Sequence, residues 1–92
     1  MIKSWKHKGL KKFYDTGSTA GINAKHKFKL QIILQRLDAA VEPNDMNLPD
    51  MRFHLLKGSF KGYYSVTVNK NWRVMFAFEG SNAVLVDYLD YH

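Results

Sequence analysis

Along the first forty residues the apolar positions recur at helical spacing, and from about residue 51 they alternate with polar ones. The chain therefore reads as a helical part followed by a β part. Leu10, Phe13 and Tyr14 stand at i, i+3 and i+4, which predicts a short amphipathic helix over Lys8–Asp15. Lys8, Lys11 and Lys12 fall on its outer face, and Gly17 is placed to stop it. A turn-rich stretch, residues 16–21, leads to Asn23, a capping residue for a longer helix from about Ala24 to Ala40. Leu30, Ile33, Leu34 and Leu37 form the stripe this second helix buries, Lys25 and Lys29 lie one turn apart on its flank, and Pro43 with Asn44 ends it. Ahead of both helices, Ile2 to His7 has the makings of a short edge strand.

Four strands follow, over Met51–Leu56, Gly62–Val68, Trp72–Phe78 and Ala83–Leu89. Asn69-Lys70-Asn71 and Glu79-Gly80-Ser81-Asn82 supply the turns between the last three, and Gly58-Ser59-Phe60-Lys61-Gly62 reads as a connection rather than a phosphate loop. Alternation sends Tyr64, Val66, Val68, Trp72, Val74, Phe76 and Phe78 toward the helices. Tyr63, Ser65, Thr67, Arg73, Met75 and Ala77 then point away, onto a second face left open to a ligand such as nucleic acid. The expected fold class is α+β, with two N-terminal helices packed on one face of a small, mainly antiparallel, twisted sheet. Residues 1–92 are expected to form a single domain.

Composition narrows what such a domain does. With 46% hydrophobic residues the chain has enough apolar matter for one core and too much for a disordered segment. No apolar run approaches the roughly 18 residues that span a bilayer, and no apolar stretch follows the charged N-terminus as in a signal peptide. A cytoplasmic protein is the expectation, with no membrane partner. The absence of cysteine excludes disulfides, zinc–thiolate sites and thiol nucleophiles. There is no His-Glu-x-x-His, no carboxylate cluster is apparent, and Asp87 and Asp90 should leave a strand on opposite faces, so neither metal nor cofactor is expected. The net charge of +6 is concentrated early: residues 1–36 hold nine Lys/Arg against the single acid Asp15, whereas residues 37–92 hold five against seven acids. A surface facing a polyanion follows, although solubilising charge alone explains the composition as well.

Cutting an RNA backbone without a metal needs a base for the 2′-hydroxyl proton, cations for the charge building on phosphate, and an acid for the departing 5′-oxygen. Histidine suits the proton transfers, while lysine and arginine suit the phosphate. A tyrosine can stack on a base. His54, Lys57, Arg73, Tyr91 and His92 supply these types, and Asp90 shares a strand face with His92 in an extended chain. There, Asp90 and the terminal carboxylate would favour the imidazolium of His92, a suitable acid. Each residue also has a plainer reading. His54 suits an exposed structural histidine, Lys57 a turn, Arg73 a stack on Trp72, and Asp90-Tyr91-His92 a frayed end.

The run His54-Leu55-Leu56-Lys57-Gly58, followed by Gly62-Tyr63-Tyr64-Ser65-Val66, Asn71-Trp72-Arg73-Val74-Met75-Phe76 and Asp90-Tyr91-His92, resembles the HigB toxins of the RelE/ParE superfamily. Lys6-His7-Lys8-Gly9-Leu10 fits as well, so the resemblance covers essentially the whole chain; Leu55 departs from it, standing where proline is common. It implies a RelE-like fold and a ribosome-dependent, metal-independent endoribonuclease that cuts mRNA in the ribosomal A site. Attack by the 2′-hydroxyl would leave a 2′,3′-cyclic phosphate and a 5′-hydroxyl. Carried over residue by residue, His54 and His92 would transfer protons, Lys57 and Arg73 hold phosphate, Tyr91 position the nucleotide and Asp90 orient a neighbour. Lys6, Lys8, Lys11, Lys12, Lys25 and Lys29 would grip ribosomal RNA. The implied partners are the ribosome, mRNA and a HigA-like helix-turn-helix antitoxin. Two other classes compete: a ParE-type gyrase inhibitor, which needs no nuclease site, and a non-catalytic RNA-binding module.

Overall fold

Helix α1 (Lys8–Thr16) starts where the lysine-rich segment turns and ends where glycine lets the backbone reverse. The computed structural model describes residues 1–91. His7 caps α1, its Nδ1 accepting the Leu10 N–H at 2.9 Å, and Gly17 closes it in the left-handed region (φ 81°), donating to the Phe13 carbonyl. Leu10 and Phe13 are buried as expected. Tyr14 is not: it is 37% exposed and lies 5.5 Å from the Trp5 ring, covering the helix flank rather than filling the core.

The second helix is split. Ala24–His26 form a tight 3₁₀ turn, opened by the Asn23 side chain accepting the Lys25 N–H, and α2 proper runs Lys27–Ala39. The tighter turn delivers His26 to the interior, where it is 3% exposed. Leu30, Ile33, Leu34 and Leu37 are fully buried, so truncating any one to alanine removes about 2–5 kcal/mol. A further turn, Pro43–Met46, tucks Met46 into the core.

Strands β1 (His54–Leu55), β2 (Tyr64–Asn69), β3 (Trp72–Glu79) and β4 (Asn82–Asp90) form one antiparallel sheet in that order. β1 is shorter than expected because Asp50 (φ 67°) and Arg52 (φ 48°) take left-handed conformations that interrupt the strand. Met51 still reaches the sheet, accepting the Thr67 N–H at 2.7 Å. On the other flank the N-terminal segment runs parallel to β4, bridged at Ile2–Ala83 and Trp5–Val86 rather than as a continuous strand. The interruption is a bulge: Leu85 sits at φ 55°, and its N–H bonds the Ser4 side chain at 2.8 Å instead of backbone. That bulge rephases β4, so Ala83, Val86 and Tyr88 all face the core.

The core lies between this face of the sheet and the two helices. Val66, Val68, Val74 and Phe76 are buried in it, and Tyr64, Trp72 and Phe78 pack on its margin, as alternation requires. Across the opposite face the expectation of an open platform needs correction. Ser65 is fully buried and Met75 is 2% exposed, although neither belongs to the helix-side core. No helix among the described residues is long and apolar enough to cross a membrane.

Candidate nucleotide-facing site

What covers that second face also builds the site. Residues paired directly across antiparallel strands share a face, about 5 Å apart. The register therefore sets out one row, His54–Ser65–Met75–Asp87, and a second, Thr67–Arg73–Leu89. Tyr91, two residues beyond Leu89, extends the second row, its N–H donating to the Asn71 carbonyl at 2.7 Å. The β1–β2 connection folds back over these rows. Phe60 precedes β2 at one end of the sheet and Tyr91 follows β4 at the other, yet their rings are 6.1 Å apart, edge to face. From the far side Lys6 reaches over the Tyr63 ring, 5.6 Å from its centre.

Beneath the connection sits Arg73. Its guanidinium is half-buried, donates to Ser65 Oγ at 3.3 Å, and rests with its central carbon 5.4 Å from the Tyr91 ring centre. Its Nε is buried without a hydrogen-bond partner, and so is Oγ1 of its cross-strand neighbour Thr67. Among the described residues no carboxylate forms an ion pair with it; the one such pair is Lys11–Asp15, on the helix surface. A cation this withdrawn from water normally has a counter-charge.

His54 stands one strand away from Ser65, the residue that holds Arg73. Its Nδ1 lies 2.7 Å from the Arg52 carbonyl, and since a carbonyl can only accept, Nδ1 carries the proton. In the neutral ring the exposed Nε2 then presents its lone pair, the state a general base requires. The left-handed turn at Arg52 thus both delays the start of the strand and places the carbonyl that fixes the imidazole's tautomer. Lys57, exposed, opens the connection that carries Phe60, and with Leu55, Leu56, Gly58, Lys61 and Gly62 it lines a shallow groove there.

The sheet brings His54, Arg73 and Tyr91 onto one face. Asp90 leaves on the other: it pairs with Trp72, whose ring stacks on core-facing Tyr88 at 4.7 Å. The expected position of His92 lies outside the described residues. Lys8, Lys11, Lys12 and Lys25 are exposed and Lys29 is half-buried, all on the helical layer, while Lys6 alone reaches the site face. Lys11 also pairs with Asp15 at 2.6 Å, an exposed interaction worth little. Among the described residues no group of three His, Asp or Glu is placed to hold a metal ion.

Sequence reasoning does not reach Ser65, Thr67 and Phe60 as site members. Ser65 and Thr67 are legible only as outward-facing strand residues, and nothing local shows that Phe60 folds back. His26 escapes it too. This histidine sits four residues before Leu30, on the buried stripe, with Nδ1 2.6 Å from the Tyr88 hydroxyl and its ring edge-on to Trp72. Burial lowers its pKa from the ordinary value and raises that of Tyr88. Both belong to the core, not to the site.

A helix-backed sheet whose other face carries a half-buried arginine, an imidazole and a tyrosine defines a small α+β protein with cationic and aromatic groups gathered on one side. The comparisons with known proteins make that class specific: residues 3–92 match the family model described as the RelE-like toxin of type II toxin–antitoxin system HigB, and the chain belongs to this HigB-like toxin family. It is 42% identical over 92 residues to the endoribonuclease HigB of Proteus vulgaris, covering the whole of both chains. To toxin HigB-1 of Vibrio cholerae serotype O1 it is 35% identical over 94 residues, spanning all of this chain and 98% of that one.

Proposed function

We propose that this protein is an endoribonuclease toxin that cuts mRNA on the ribosome, in the A site, and so stops translation. The observation that carries the reading is Arg73, a half-buried guanidinium held by Ser65 with no carboxylate among the described residues to neutralise it. It rests on the Tyr91 ring, and Ser65, its hydrogen-bond partner, is paired across the strands with His54, whose Nδ1 carries the proton. The name of the Proteus vulgaris relative, at full-length similarity, supports RNA as the substrate.

In this mechanism Nε2 of His54 takes the proton of the 2′-hydroxyl as the 2′-oxygen attacks the adjacent phosphorus. Arg73 and Lys57 stabilise the charge that builds on the non-bridging oxygens. The bond from phosphorus to the 5′-oxygen breaks, and that oxygen takes a proton from an acid, the role assigned to His92. The products are a 2′,3′-cyclic phosphate and a 5′-hydroxyl. Charge stabilisation rests on side-chain cations, so no metal is assigned. Tyr91 packs the nucleotide against the site. Asp90, on the opposite face of its strand, acts only by orienting the chain end. The exposed lysines of the helical layer and Lys6 take ribosomal RNA phosphates. A helix-turn-helix antitoxin neutralises the protein, which works in the bacterial cytoplasm as a single domain.

Mapping RNA 5′ ends in cells producing the protein tests this reading. Breaks in phase with codons, confined to translated messages, are expected. Intact messages accompanied by double-strand DNA breaks would replace it with gyrase inhibition.

A further inference from the structure

We infer that Phe60 is a substrate-binding residue that stacks on the base beside the cut, and that in the free protein it parks on Tyr91; the inference rests on the nuclease reading above. Phe60 is half-buried yet belongs neither to the hydrophobic core nor to the residues packed against it. The fold therefore keeps an aromatic ring out of the core and over the Arg73 face, through a connection that reverses direction to put it there. Gly58 makes that reversal possible, at φ 68°, a conformation ordinary side chains avoid. Charge marks the ligand as nucleic acid rather than protein apolar surface. Lys57 and Lys61 flank Phe60 in the connection, no acid lies within residues 54–63, and Arg73 sits below.

The ring's present partner is replaceable. Phe60 meets Tyr91 edge to face, with the planes at 76°, while Arg73 already lies over the Tyr91 ring. An edge-to-face aromatic pair is weaker than a full base–aromatic stack, so an entering base gains by displacing it. Stacking of one base on one aromatic side chain is worth roughly 5- to 150-fold in binding. Phe60 thus holds a base next to the scissile phosphate, whereas Lys57 and Arg73 hold only phosphate.

The test uses ribosomes programmed with an mRNA carrying 2-aminopurine beside the cut and a 2′-deoxy nucleotide at it, so that binding proceeds without cleavage. Wild-type protein should quench the 2-aminopurine fluorescence by stacking. Phe60→Leu, which keeps apolar bulk and loses the π face, should abolish the quench and raise the half-saturating concentration about tenfold. Phe60→Tyr should restore both, which a merely structural role would not require. Equal quenching and equal half-saturation by wild type and Phe60→Leu, with both folded by circular dichroism, would overturn the inference and leave the nuclease reading standing. So would a Phe60→Leu defect seen in binding to the antitoxin alone. Failure of wild-type protein to cut the all-ribose message would instead sink the nuclease reading.

Discussion

Replacing Arg73 by methionine should separate catalysis from stability. The substitution removes a hydrogen bond to Ser65 and a cation–π interaction with Tyr91. At 3.3 Å the bond belongs at the lower end for a charged donor, about 1.5 kcal/mol, and the ring interaction adds about 0.5–1 kcal/mol. Against this, the fold no longer carries a buried Nε–H with no acceptor, which costs about 1–3 kcal/mol. Stability measured by urea unfolding should therefore fall by no more than about 1.5 kcal/mol or rise by no more than about 1 kcal/mol. Cleavage should fall far more. A fixed cation at developing oxyanion charge is worth about 100- to 1,000-fold in rate, or roughly 2.7–4 kcal/mol of transition-state stabilisation. Single-turnover cutting of a message on programmed ribosomes reads that directly. Arg73→Lys should recover only part of it, because an ammonium cannot hold Ser65 and phosphate with one rigid fork. A methionine variant that cuts at the wild-type rate would refute the role given to Arg73, and one that unfolds would show Arg73 to be a structural residue.

Three further outcomes follow from the fold. His26 is buried and its pKa is lowered by desolvation, so the unfolded chain binds more protons than the folded one below the ordinary value of 6.5. Its contribution is complete above that pH and declines as pH falls toward the folded-state value; thermal melts from about pH 7.5 to 5 should show a steeper loss for wild type than for His26→Gln. Gly9→Ala would put a Cβ 2.5 Å from the Gly21 carbonyl oxygen, backbone against backbone. A loss of at least about 1–3 kcal/mol on denaturant unfolding is expected, and wild-type stability would mean that the packing between helix start and loop is loose. Lys8→Gln with Lys12→Gln should weaken ribosome binding and flatten the plot of log K against log salt by about 0.7–0.9 for each phosphate no longer neutralised, leaving stability unchanged. An unaltered slope would place the ribosome-facing surface elsewhere.

The helix-side half of this protein can be read from its residues because local spacing decides it: Leu10 and Phe13, and the stripe from Leu30 to Leu37, bury where periodicity puts them. His26 escapes because a polar residue on an apolar stripe looks like its end, and only the distant Tyr88 hydroxyl shows why it is tolerated inside. The sheet's core face is likewise legible from Tyr64 to Phe78. Its other face is not, because long-range events decide it: left-handed turns at Asp50 and Arg52, a bulge at Leu85, and a connection that folds Phe60 back to Tyr91. Residue types suggest which groups do the chemistry. Their arrangement, with Arg73 held by Ser65 and the His54 tautomer set by a carbonyl two residues away, emerges only in three dimensions.

The cleavage proposed for this sheet face requires that the substrate's own 2′-hydroxyl be the nucleophile delivered to it. The direct test is a ribosome programmed with an mRNA in which one nucleotide, at the mapped cut, is 2′-deoxy. The protein should leave that message whole at the substituted position, while cutting the all-ribose message to a 2′,3′-cyclic phosphate and a 5′-hydroxyl. Cleavage of the deoxy position at an undiminished rate, or a product ending in a 5′-phosphate, would contradict it.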